Sequence, residues 1–235
     1  MKIYFFTSDV ELIKDLEHLG IDGVLHTYNA YQPNAFIRII KYLPETKIKH
    51  MVAIRPYTIS PQFLSQIIST VNEVCSREII QINLVSGWIK EDEKSAGGIV
   101  GIINDNSTQA ERSNYLIDYL DILKISDNNK MDYYVSVTNN FTFDAAIKNN
   151  TKMIIDYEHF KEKKYKIKNN KTMIAINTAR GDELLEHEEI FRKIEEIEDS
   201  GIDEVIFSSG SKNVVEHFIQ FLKKYKAKNS DFGRV

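Results

Sequence analysis

The chain has 235 residues, of which 43% are hydrophobic and 27% charged, with ten Gly, four Pro and one Cys. This composition excludes a disordered or collagen-like chain, and a length of this order buries roughly 70–75% of the unfolded surface. Thirty Lys and Arg against thirty-four Asp and Glu give a net charge of −4, which lacks the basic footprint of a nucleic-acid binder. Cys75 alone cannot form an intrachain disulfide, and no run approaches the roughly 18 apolar residues that a membrane helix needs. The opening MKIYFFTSDVELIKDLE has a short apolar stretch followed by acids, not a secretory pattern, so a cytoplasmic protein is expected.

Short runs rich in Ile and Val, bounded by turn residues, alternate with amphipathic segments along the whole chain. A strand is expected at Lys2 to Thr7. Ser8 and Glu11 then form a capping box ahead of Leu12, Ile13, Leu16 and Leu19, which have helical spacing. Strands follow at Gly23 to Thr27 and at His50 to Arg55. Ser60 and Pro61 supply a cap and a first-turn proline before Phe63, Leu64, Ile67, Ile68, Val71 and Val74. After a strand at Ile79 to Val85, the connection from Gly87 to Lys130 is long and loosened by Gly97, Gly98 and Gly101; such loops usually serve a site. It includes a second capping box, Thr108 with Glu111. Strands at Tyr133 to Thr138, Lys152 to Asp156, Thr172 to Thr178 and Glu204 to Ser208 complete the set, with helices at Glu183 to Asp199 and Asn213 to Tyr225. The Asn pairs beginning at 128, 139, 149 and 169 fall between elements as turn residues.

MVAI, IIQINLV, KMIID and EVIF are near-continuous apolar runs, as expected of parallel strands covered on both faces. Strand then helix, repeated eight times, fits a (β/α)₈ barrel or a doubly wound sheet, and eight units favour closure. With no linker evident, residues 1–235 read as one domain. In such a barrel the site lies where strands end at the C-terminal face. The candidates are therefore Thr7 and Ser8; His26, Thr27 and Tyr28; Arg55; Ser86 and Trp88; Thr138 to Thr142; Tyr157, Glu158 and His159; Asn177 to Arg180; and Ser208 to Ser211. The TNNFT and SSGS segments, the former with Asn139 and Thr142, read either as phosphate donors at helix starts or as ordinary caps. His26 and His159 read as acid–base groups or ligands. Pro56 makes Arg55 extended, aimed at the barrel mouth or held in a structural ion pair. The chain has no H-x-H, H-E-x-x-H or Cys cluster, so no metal site is expected; it also lacks a nucleophile elbow, a Walker A motif and a G-x-G-x-x-G turn.

The stretch VAIRPYTISPQFLSQIISTVNEVCSREIIQINLVSG resembles the bacterial luciferase-like flavin monooxygenases, especially the alkanesulfonate monooxygenase branch. That branch has A-L-R-P-G-x-x-S-P before a helix and then a strand ending in N-x-V-T-G-G. Ala53, Ile54, Arg55, Pro56, Ser60 and Pro61, then Asn83, Val85, Ser86 and Gly87, stand at the matching positions. LGIDGVLHTY, ERSNYLIDYLDIL, FDAAIKNN and SGIDEVIFSSG extend weaker likeness along the chain.

The resemblance implies a barrel that binds reduced FMN, supplied by a separate flavin reductase, activates O₂ and oxygenates a small organic substrate. Ala53, Ile54 and Arg55, with Asn83, Val85 and Ser86, would line the flavin ring. Thr142, with Asn139 beside it, would bind the phosphate, and Arg112 matches the arginine of the family's E-R-Y segment. Arg55 would be the positioning cation, with His26 or Asn177 as hydrogen-bonding catalytic groups. No nucleic-acid or membrane partner is expected, and a dimer is, because family members commonly pair. Departures from the pattern are Ser113 for a tyrosine, Asn177 for a histidine, Ser211 for a tyrosine, Trp88 for a glycine, and the missing insertion where Arg180-Gly181 leads directly into a helix. They leave room for a flavin-binding barrel without oxygenase activity, or for the inactive subunit of a heterodimer.

Overall fold

The computed structural model describes residues 1–7, 9–27, 43–56, 59–75, 80–85, 108–126, 131–163, 166–167, 171–180, 183–208 and 212–231. Eight parallel strands close into a barrel: β1 (Lys2–Phe6), β2 (Gly23–Thr27), β3 (Lys49–Ile54), β4 (Ile80–Val85), β5 (Tyr133–Val137), β6 (Lys152–Asp156), β7 (Thr172–Ile176) and β10 (Glu204–Phe207). β10 pairs with both β7 and β1, which completes the ring. The described helices are α1 (Val10–His18), α2 (Pro61–Cys75), α3 (Gln109–Ser126), α4 (Asn140–Lys148), α5 (Tyr157–Lys163), α6 (His187–Asp199) and α7 (Lys212–Asp231). This is a (β/α)₈ barrel.

Alternation along each strand divides the apolar residues into two cores. Tyr4, Leu25, Met51, Ala53, Tyr134, Ile154, Met173 and Ile206 fill the barrel. Their neighbours, among them Phe5, Val24, Val52, Ile54, Val135, Ile155, Ile174 and Phe207, pack against the helices. That two-sided demand is why the strands are apolar runs. The ring of Phe218, on α7, stacks on Phe5 of β1 at 4.3 Å and lies 4.9 Å from that of Phe207 of β10, so the last helix covers the seam where the barrel closes. Gly23 is required beside the filled interior: a Cβ there would lie 2.6 Å from the Tyr4 ring and 2.8 Å from the Lys49 carbonyl oxygen.

Two expected helix starts are corrected. Ser8 lies outside the described residues, and Asp9 caps α1 by accepting the N–H groups of Glu11 and Leu12. The helix expected from Glu183 begins instead at His187, because Glu183–Leu184 (β9) pairs antiparallel with Ala179–Arg180 (β8), so Arg180 enters a short hairpin rather than a helix. The Thr108–Glu111 box forms reciprocally, with the Thr108 N–H donating to the Glu111 carboxylate at 2.7 Å and the Glu111 N–H to Thr108 Oγ1 at 3.2 Å. Ser60 Oγ accepts the Phe63 N–H at the start of α2. Asn150 takes the left-handed conformation, φ 53°, at the turn after α4.

Candidate functional site at the barrel mouth

Inward-facing residues of a (β/α)₈ barrel stack in layers drawn from alternate strands. Tyr4, Met51, Tyr134 and Met173, from β1, β3, β5 and β7, plug the interior and are almost wholly buried. Above them come Leu25, Asn83, Ile154 and Ile206 from the other four strands. The next layer toward the C-terminal end is Phe6, Ala53, Ser136 and Ala175, of which only Ala53 is fully buried. Three of these four are small, so the plug ends in a shallow shelf.

The shelf has polar edges. Asn83, 2% exposed, donates from Nδ2 to Ser136 Oγ at 2.9 Å, and the Ser136 hydroxyl donates to Asn83 Oδ1 at 3.0 Å. Val85, half-buried, ends β4 beside Ser136. Arg55 follows β3 on the inward alternation of Ala53 and is half-buried. Asn177 follows β7 on the alternation of Ala175 and is exposed. Ala53, Asn83, Val85, Arg55 and Asn177 thus belong to one end of the barrel. Ser86, Trp88 and Ser211 lie outside the described residues, as do Tyr28 and most of the long loop after β4.

Other expected positions are spent elsewhere. His26 and Ile54 fall on the outward alternation of their strands, toward the helix layer. His26 Nε2 lies 3.0 Å from His50 Nδ1, and His50 Nε2 lies 2.7 Å from Thr46 Oγ1, in a buried chain. Desolvation pushes the His26 pKa down to about 4, so it is a neutral link in that chain rather than a group at the mouth. Thr142 is fully buried; its N–H and hydroxyl both donate to Asn139 Oδ1, at 2.9 and 3.2 Å, and its Oγ1 lies 3.0 Å from Ser113 Oγ. Asn139 is therefore the cap of α4, and the pair joins α4 to α3, where half-buried Arg112 is the neighbour of Ser113. Thr142 Oγ1 and Asn139 Oδ1 are thus engaged with each other and with Ser113.

Two polar residues at this end of the barrel were not singled out from the sequence. Ser136 interrupts the run YYVSV and supports Asn83. Asp156 ends β6 with the inward alternation of Ile154, and its Oδ2 lies 2.6 Å from Nδ1 of His159. The signal for Asp156 was an acid closing an otherwise apolar strand, visible only once its parity is known.

No protein-family model and no curated protein matches the chain. Among solved structures, apo-MsnO8 has 9% sequence identity and a TM-score of 0.70, over 96% of this chain and 98% of that one. EDTA monooxygenase (EmoA) from Chelativorans sp. BNC1 has 10% identity and a TM-score of 0.59, over 87% and 67%. A riboflavin lyase (RcaE) bound to modified FMN and riboflavin has 10% identity and a TM-score of 0.57, over 85% and 66%. An isomerase and sugar epimerases share the fold at similar identity. At these identities the likeness is one of fold, and the chain is a (β/α)₈-barrel protein.

Proposed function

We propose that this chain is a monooxygenase that uses reduced FMN, delivered by a separate reductase, on a small organic substrate. The observation that carries the reading is the set of small inward-facing side chains Ala53, Ser136 and Ala175 above the plugged interior, which with Phe6 form the layer that a planar ring would cover. The likeness in fold to an EDTA monooxygenase and to a riboflavin lyase bound to modified FMN supports it, as does the Ala53-Ile54-Arg55-Pro56 motif. The residues fit the ring in part: Ala53 and Val85 offer apolar contact, and Asn83 retains one amide hydrogen beyond its bond to Ser136. They fit the tail less well, since Thr142 and Asn139 bond each other. Reduced FMN, when bound, supplies the electrons that activate O₂. The chain's own task is to exclude water over the shelf and to orient the substrate, with Arg55 placed to attract an anionic group.

The test is fluorescence titration with oxidised and reduced FMN, followed by oxygen uptake with photoreduced FMN and candidate substrates. Tighter binding of the reduced form with substrate-dependent uptake is the expected result; absence of FMN binding removes the reading. A second reading, a barrel that holds flavin without oxygenating, is favoured by the outward placement of His26, one of the expected catalytic groups. It predicts bound FMN whose reaction with O₂ matches that of free flavin.

A further inference from the structure

We infer that Asp156 and His159 form an oriented proton-accepting pair at the barrel mouth, with His159 Nε2 as the base. The inference rests on the reading of that mouth as the reactive site only for what the base acts on. Asp156 is the last residue of β6, and its neighbour across the ladder is Ala175 of the shelf.

Its two carboxylate oxygens have separate duties. Oδ1 accepts the backbone N–H groups of Glu158 and His159, at 3.1 and 3.0 Å, and caps the turn. Oδ2 faces Nδ1 of the His159 ring at 2.6 Å. An ionised carboxylate only accepts, so a neutral His159 must carry its proton on Nδ1 and leave the lone pair on Nε2. Nε2 has no partner among the described residues, and the side chain is 31% exposed. A cap alone needs one oxygen; the second fixes a tautomer, the relation between orienting acid and base in hydrolytic triads.

The step is a proton transfer. An acidic O–H or C–H bond of a small substrate breaks, its electron pair stays on the substrate, and the proton passes to Nε2. The imidazolium formed is stabilised by Asp156. His159 is the group that touches substrate, and Asp156 is its positioning residue.

Asp156→Asn separates this role from capping. Asn caps about as well as Asp, but its one oxygen must serve the two backbone N–H groups. The amide nitrogen then faces Nδ1 and reverses the tautomer. Diethyl pyrocarbonate, which acylates an imidazole nitrogen carrying a free lone pair, is the probe, with modification of each histidine followed by peptide mass spectrometry. His159 should react readily in the wild-type chain and roughly tenfold more slowly in Asp156→Asn, the scale of one charge-assisted hydrogen bond. Nitrogen-15 NMR of the wild-type chain should show the Nδ1–H form of His159, a readout that does not depend on the variant folding. An unchanged rate in a folded Asp156→Asn, or an Nε2–H form in the wild type, overturns the pair. FMN added before the reagent separates the two readings: reactive, Asp156-dependent His159 that FMN fails to shield leaves the pair standing and counts against flavin at the mouth.

Discussion

At the scale of single residues, a side chain's parity on its strand decides its role. His26 is a polar residue at a strand end, yet it faces the helices and shares a buried chain with His50 and Thr46. Its pKa near 4 has a direct consequence for pH. An unfolded imidazole titrates near ~6.5, so the unfolded chain takes up a proton that the folded one refuses. Stability is full above about pH 6.5 and falls as the pH drops toward 4, by roughly 3 kcal/mol for this group. Urea denaturation at several pH values should show that fall, and His26→Gln, which cannot titrate, should flatten it whatever its effect at neutral pH. On the opposite face, Ala53→Leu would raise the shelf. Under the proposed function, FMN affinity should drop by about 5- to 150-fold, since a bulky group in a ring-sized contact costs on the order of 1–3 kcal/mol. Titration of the variant checks this.

At the scale of elements, the caps connect sequence to architecture most directly. The Thr108–Glu111 and Ser60 caps were legible because their spacing is local and their bonds lie within one turn. The start of α6 was not, because Glu183 and Leu184 are good helix residues drawn into a hairpin by pairing with Ala179 and Arg180. Asn139 tests which of two roles a polar strand end plays. Asn139→Ala should lower stability by about 1–2 kcal/mol through loss of the α4 cap, and Asn139→Asp should restore it. If both variants bind FMN like the wild type in the same titration, the residue is a cap alone.

For the whole molecule, closure depends on contacts between strands far apart in sequence. The Tyr134 hydroxyl donates to the Glu204 carboxylate at 3.0 Å, joining β5 to β10 across the barrel's N-terminal end, and Glu204 also holds Lys2. Burial and the nearby Glu204 raise the Tyr134 pKa, so the phenol stays protonated and keeps donating. Tyr134→Phe should cost about 1–3 kcal/mol by leaving a carboxylate oxygen short of a donor, read as a lowered denaturation midpoint. Gly23→Ala should also destabilise, by about 1–3 kcal/mol, since the new methyl group meets the Tyr4 ring and a backbone oxygen. Thermal melts of the two single variants check both.

The eight strands, their near-continuous apolar character and the likelihood of closure were determined by the sequence itself, because period, capping and β-branched content act over a few residues. Ala53, Asn83 and Val85 were named through the resemblance alone, as was Ile54, and only strand parity separates the three, which face the barrel interior, from Ile54, which packs against the helices. Only the tertiary structure decided that His26 turns from the mouth, that Thr142 is consumed by Asn139 and Ser113, and that Asp156 meets His159 beside the shelf. The Asn139–Thr142 and Asp156–His159 bonds are themselves local, three residues apart, but where these groups stand relative to the mouth depends on strand parity, register and the packing of α3 on α4, which follow from ring closure.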